Sequence, residues 1–247
     1  MKTAFQWISA TAMIAVLAFA TPGIALEKTS ALAIDKDGVQ QDGWRGGATS
    51  CSVVYYNICT GWIWIWSGWS PGDQFGVSFD SCCAQNTTAL NDMFALFTTG
   101  APSGYGFTGN FHVYDADLNG CPAGAPVATQ AYLPISGWNQ VSWSGTVVPD
   151  ASFAIVYETS NASIPNPMAI ATDHPAVGPT GPAACGTCFP SNRENHSFYY
   201  GTATSPLCPG SALNDGVCDA QLVIDVGLSC TTSVDSQTWG TIKNLYR

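Results

Sequence analysis

Phe75-Gly76-Val77-Ser78-Phe79 puts a large apolar side chain at every second residue and a small or polar one between. Successive side chains of an extended strand point to opposite faces, so this two-residue period describes a β-strand with one buried face. Phe153, Ile155 and Tyr157 repeat the pattern further along the chain. Working outward, Val53 to Ile58, Trp62 to Trp66, Phe111 to Asp115, Val141 to Trp143, Phe198 to Tyr200 and Leu222 to Val226 read as further strands. They are short and are separated by Gly, Pro, Asn and Asp, the residues that turn a chain. Ala89 to Phe97 fits a helical turn or a strand equally, and no later stretch holds a helical apolar period for three turns. Many short strands with turn residues between them predict an all-β fold, an antiparallel, jelly-roll-like β-sandwich.

Both ends of the chain depart from this pattern. Met1 and Lys2 lead into an apolar run from Phe5 to Ala20, and Pro22, Gly23, Ile24 and Ala25 follow. A basic start, an apolar core and a small-x-small site make residues 1–25 a secretory signal peptide. Residues 26–49 carry the turn pairs Asp37-Gly38, Asp42-Gly43 and Gly46-Gly47 and read as a loose N-terminal leader. The sandwich domain is expected over 50–230, with a C-terminal tail over 231–247. Export leads to an oxidising compartment, where an even number of cysteines is read as disulfides. The ten are Cys51, Cys59, Cys82, Cys83, Cys121, Cys185, Cys188, Cys208, Cys218 and Cys230. Cys51 with Cys59, and Cys208 with Cys218, are the favoured local bridges, while the adjacent Cys82 and Cys83 are expected to take different partners. Cys185-x-x-Cys188 also has zinc-ligand spacing, but the oxidising compartment favours disulfides.

Charge narrows the functions further. Only 10% of the residues are charged, and the net charge is −10. No lysine or arginine lies between Arg45 and Arg193. A surface so poor in cations cannot neutralise phosphates, which argues against nucleic acid and anionic lipid as partners. No stretch beyond the signal peptide approaches the ~18 apolar residues of a membrane span.

Three local patterns carry chemistry. Trp62-Ile63-Trp64-Ile65-Trp66, with Trp69 close by, places three indoles on one strand face. The row is either an apolar strip on which sugar rings stack or part of a strand buried on both faces. Asp115-x-Asp117-x-Asn119-Gly120 begins like the calcium loop of an EF-hand. Position twelve, which should be a glutamate, is Pro126, so the motif is a Ca2+ half-site completed from elsewhere or a plain turn. Glu158, at a strand end, is the residue that could serve as a glycosidase acid, although no second carboxylate is singled out by local spacing. Gly68-Trp69-Ser70-Pro71-Gly72 matches a nucleophile elbow, but Pro71 lacks the N–H that the oxyanion hole requires, so the match is a turn.

Gly137-Trp138 leading into a strand, with Val147 to Tyr157 following, resembles β-sandwich modules of bacterial surface proteins and glycan-active enzymes. The ending Trp239-Gly-Thr-Ile242-Lys243-Asn-Leu245-Tyr246-Arg247 resembles a short tail on exported bacterial proteins. The first likeness implies the sandwich fold, and the second implies export. The expected function is a non-catalytic extracellular or cell-surface binding or adhesive module, with polysaccharide or a surface glycan as partner. A periplasmic location fits the same reading. The alternatives are a self-associating structural subunit of an extracellular matrix and a polysaccharide hydrolase.

Overall fold

The computed structural model describes residues 27–33, 50–67, 69, 71–83, 88–98, 109–148, 151–160, 169–174, 178, 180, 195–201, 210–213 and 220–230. Among them the chain forms thirteen strands and no helix. The first seven are β1 (Glu27–Ala33), β2 (Ser50–Val54), β3 (Trp62–Ser67), β4 (Gln74–Asp80), β5 (Thr88–Thr98), β6 (Gly109–Ala116) and β7 (Pro122–Tyr132). Then come β8 (Gly137–Val148), β9 (Ser152–Thr159), β10 (Ala169–Asp173), β11 (Ser197–Tyr200), β12 (Ser211–Ala212) and β13 (Ile224–Cys230). All pairings are antiparallel and fall into two sheets.

The six-stranded sheet runs β12-β11-β4-β9-β6-β7. The seven-stranded sheet is built around β5, which pairs with β8 along one edge. Along its other edge β5 meets β13 over Thr88–Ala95 and β10 at Phe97 and Thr98. From there β13 continues to β2, and β10 to β3 and β1. The chain passes repeatedly from one sheet to the other, so the expected jelly-roll-like β-sandwich is the fold found.

The alternation read from the sequence becomes the core. Phe75, Val77 and Phe79 of β4 point inward with Phe153, Ile155 and Tyr157 of β9, and all are buried. Tyr157 sits at the centre, its ring 4.6 Å from that of Phe111, 5.3 Å from Phe75 and 5.8 Å from Phe97. Each such ring withdrawn from water contributes ~2–3 kcal/mol, which makes this aromatic centre the main stabilising feature. Gly109 permits it, because a Cβ there would lie 2.2 Å from the Tyr157 ring.

Strand β5 resolves the ambiguity over Ala89–Phe97. A bulge shifts its register between Leu90 and Asp92. Leu90 and Met93 thus both face the core at a helical-looking spacing of three, and Ala95 and Phe97 then resume the period of two. Strands β7 and β10 gave no alternating signal. The first is an edge rich in Ala, Gly and Pro, and the second is short and buried throughout. The segment 26–49, expected to be loose, contains β1, whose backbone extends the seven-stranded sheet by pairing with β3. The tail over 231–247 lies outside the described residues.

A second apolar layer covers the outer face of the seven-stranded sheet. After Val54 the chain leaves β2, and Tyr56 and Ile58 pack on Ile63, Leu96, Ala171 and Val223. Under this cover the Tyr56 hydroxyl donates to Asp225 Oδ2 at 2.7 Å. Burial pushes the Asp225 carboxyl up to about 6, with the Tyr56 bond pulling the other way. A raised carboxyl favours the folded state below the unfolded pKa of 3.8, and that advantage is lost as pH climbs through about 6. Between about pH 4 and pH 7 the stability difference between wild type and Asp225→Asn should move by about 2 kcal/mol in favour of the asparagine. Denaturant midpoints at the two pH values measure this, and a difference that stays constant contradicts it.

Candidate functional site: a polar cleft at the end of strand β4

The structure answers the question posed by the tryptophan row. Trp64, Trp66 and Trp69 are buried in the core and Trp62 is half-buried, so the four do not form a surface strip. The opposite face of β3 is apolar too, with Ile63 and Ile65 buried, so the strand has no solvent side on which to display indoles. Their polar edges are satisfied inside. Trp66 Nε1 donates to Thr172 Oγ1 at 2.8 Å, and Trp69 Nε1 donates to the Trp66 carbonyl at 3.1 Å. Trp64 stacks on the buried His174 ring at 4.2 Å.

Asp115 is the last residue but one of β6, and Asp117 holds the turn into β7. One Asp117 oxygen, Oδ1, accepts the N–H groups of Asn119 at 2.8 Å and Cys121 at 2.9 Å. These two donors, Cys121 first, hold the Asp117 carboxyl below the usual carboxylate range. Gly120 completes the turn at φ +74° beside Ser78, where a Cβ would crowd the hydroxyl at 2.9 Å. Among the described residues, neither Asp115 nor Asp117 belongs to a group of three or more clustered His, Cys, Asp or Glu ligands.

The turn forms one wall of an open cavity of about 740 Å³. Ser78 and Asp80 of β4, Ala151 and Ser152 at the start of β9, and Asn195 and His196 before β11 supply the rest. Asp80 is held from two sides. Ser152 Oγ donates to its Oδ1 at 2.7 Å and the Tyr55 hydroxyl donates to its Oδ2 at 3.4 Å. The Tyr55 hydroxyl in turn accepts the Asp80 backbone N–H at 3.0 Å. Tyr55 also lies flat against His196, with ring centres 3.6 Å apart and planes 1° from parallel. The backbone beneath is fixed as well, since Ser78 N donates to the His196 carbonyl at 2.9 Å. The cleft therefore offers two carboxylates, two hydroxyls, two amides and an imidazole, and none of its lining residues is Lys or Arg.

Of the residues singled out from the sequence, Asp117 and Asn119 line this cleft. Glu158 lies elsewhere, on the outer face of the six-stranded sheet. It accepts from Gln74 Nε2 at 2.9 Å and has His112 Nε2 at 3.6 Å. Burial lowers the His112 pKa, with Glu158 acting in the opposite sense. Pro71 and Gly72 form a turn, with Gly72 at φ 86°. Sequence reasoning missed Tyr55, Asp80, Ser152, Asn195 and His196, which are distant in the chain and share no local spacing.

The cysteines correct one expected pairing. Cys51 bonds to Cys82, not to Cys59, because the chain crosses the outer face of the sheet after Val54 and carries Cys59 away. Cys83 bonds to Cys230, so the adjacent cysteines do take different partners. Cys59 and Cys121 are disulfide-bonded, and among the described residues no cysteine is free. Cys185, Cys188, Cys208 and Cys218 lie outside the described residues.

No protein family model and no characterised protein sequence matches the chain. Among solved structures, the fold is similar to the cysteine protease and lectin-like domains of Cwp84, a surface layer associated protein of Clostridium difficile, with TM-score 0.52 and 12% identity. That similarity covers 75% of this chain and 37% of the other. A structure of the clostridial protease after propeptide cleavage gives TM-score 0.48 and 13% identity, over 75% of this chain and 41% of that one. This chain thus spans less than half the length of either. At such identities the likeness is one of fold. Among the described residues no helix is long and apolar enough to cross a membrane, which says nothing of a β-barrel.

Proposed function

We propose that the chain is a non-catalytic extracellular or cell-surface binding module that takes a glycan in the cleft beside Asp80. The observation that carries this reading is the make-up of that cavity. Hydroxyl, amide and carboxylate groups converge on it with the His196 imidazole, which Tyr55 backs, the mix that recognises a polyhydroxylated ring. Its charge sets the specificity. With Asp80 and Asp117 present and no cation on the walls, a ligand bearing uronate or sulfate is repelled. The favoured ligands are neutral sugars or amino sugars. Disulfides on the chain support an oxidising, extracellular setting. The similar clostridial structure includes domains described as lectin-like, in a surface layer associated protein.

The non-catalytic reading rests on how the carboxyls are engaged. Asp117 is held in its charged form by backbone donors, the reverse of what a proton donor to a leaving group needs. Glu158 is tied to Gln74 and His112 away from the cleft. A panel of immobilised oligosaccharides tests the proposal. Neutral or amino-sugar oligomers should be retained, acidic ones should not, and Asp80→Ala should lose the signal by about tenfold or more. Equal retention of acidic glycans contradicts the specificity, and release of shortened sugar products contradicts the non-catalytic reading.

A further inference from the structure

The side of the sandwich opposite β1 and β12 has an unusual surface. There β7 and β8 lie at the edges of the two sheets, linked by a Tyr132 hydroxyl that donates to Asn139 Oδ1 at 3.3 Å. From Leu118 to Pro149 the chain carries no Asp, Glu, Lys, Arg or His, although the protein as a whole has a net charge of −10. Large apolar side chains are exposed along the same stretch. Val127 is 41% exposed, Leu133 50%, Ile135 62% and Val147 57%.

The loop that carries Leu133 and Ile135 is fixed in place. Asn139 is buried beneath it, and its Nδ2 donates to the carbonyls of Ile135 at 2.8 Å and Gly137 at 2.7 Å. Its Oδ1 accepts the Ile135 N–H at 2.8 Å. A saturated buried amide thus holds two apolar side chains out in water. That arrangement weakens the monomer unless something covers them.

The edges on either side of the loop are the regular parts of their strands. Strand β7 is bulged around Gly124, at φ 69°, where its register against β6 shifts. Strand β8 is bulged near Ser144 and Gly145, at φ 52° and 78°. Bulges block edge-to-edge pairing, so the far halves are guarded. Residues 128–132 and 137–142, which flank Leu133 and Ile135, pair in register with one neighbour each and, among the described residues, have no strand on their other side.

We propose that this side is a self-association surface and that its occupant is a second copy of the chain. The charge pattern selects that partner. A two-fold interface lays a patch against itself, so an excess of one charge sign within it is set against the same sign. An acidic protein pairs in this way with least repulsion where its strands add no charge of their own, and residues 118–149 add none. The nearest charged groups, Asp92 beside Gln140 and the His112–Glu158 pair beside Thr129, come from the neighbouring strands β5, β6 and β9. The proposal is independent of the glycan reading, because Val127, Leu133, Ile135 and Val147 do not line the cleft.

Sedimentation equilibrium of the oxidised chain, from low to high micromolar, tests it. Wild type should form dimers with rising concentration, and high salt should leave the association intact. Leu133→Lys with Ile135→Lys should weaken it by about tenfold or more. Val54→Lys, at an exposed site on β2 elsewhere on the molecule, should not. Because these sites are exposed, unchanged thermal unfolding of each variant monomer provides the control for folding. A wild type that stays monomeric throughout overturns the proposal. So does a dimer that survives the double lysine change, or one that Val54→Lys disrupts equally.

Discussion

Replacing Cys83 and Cys230 together with serine should cost this protein about 4–5 kcal/mol and lower its melting temperature by ~10 °C or more. The bridge closes 147 residues and fastens the segment entering β5 to the end of β13. Cross-linking stabilises mainly by removing conformations from the unfolded chain, and the effect grows with the logarithm of the loop. By the same relation the Cys51–Cys82 bridge, which spans 31 residues, is worth about 1 kcal/mol less. The further bridges at Cys59 and Cys121 shorten the effective loop, so the figure for Cys83–Cys230 is an upper bound. Thermal unfolding of the two paired-serine variants ranks them. A larger loss from Cys51→Ser with Cys82→Ser than from Cys83→Ser with Cys230→Ser contradicts this account.

Asp173→Ala should be nearly as damaging, at about 3–5 kcal/mol. Asp173 ends β10 and is fully buried. Its Oδ1 accepts the Gln221 N–H at 2.9 Å and its Oδ2 accepts the Asn57 N–H at 2.8 Å. One carboxylate therefore ties together the end of a central strand, the segment covering the outer face and the approach to β13. Truncation removes the acceptor for one buried and one part-buried donor at once. Asp173→Asn, which keeps one oxygen, should lose roughly half as much. Denaturant midpoints measure both variants, and a cost for Asp173→Ala below about 1 kcal/mol would show that those donors find other partners.

Asp173 shows where local reading of the sequence stops. A carboxylate that organises backbone from two distant segments leaves no periodic trace near itself. Phe75 to Phe79 and Phe153 to Tyr157 were legible because burial on one face imposes a period on the residues that need it. Trp62 to Trp66 was half legible. Its period of two gave the strand, but both residue sets are apolar, and only the neighbours on β1 and β10 and the cover from Tyr56 and Ile58 reveal that neither face meets water. Strand β7 was illegible because an exposed edge has no core to fill. Its extended form comes from pairing with β6.

The cleft follows the same rule. Asp117 and Asn119 drew notice through their spacing, whereas Asp80 is the outward-facing end of a strand whose signal lies in Phe75, Val77 and Phe79. Tyr55 and His196 stack at 3.6 Å although they are 141 positions apart in the chain. Antiparallel pairing of β4 with β9 and β11 assembles the rest by bringing Ser152 opposite Asp80 and Ser197 opposite Val77.

Recognition by this surface, and not by buried indoles, can be tested directly by mapping amide chemical shifts while a neutral or amino-sugar oligomer is titrated into the protein. The account predicts that shifts concentrate at Ser78, Asp80, Asn119, Ser152 and His196. Shifts confined to Trp62, Trp64 and Trp66, or no shifts with any such sugar, would contradict it.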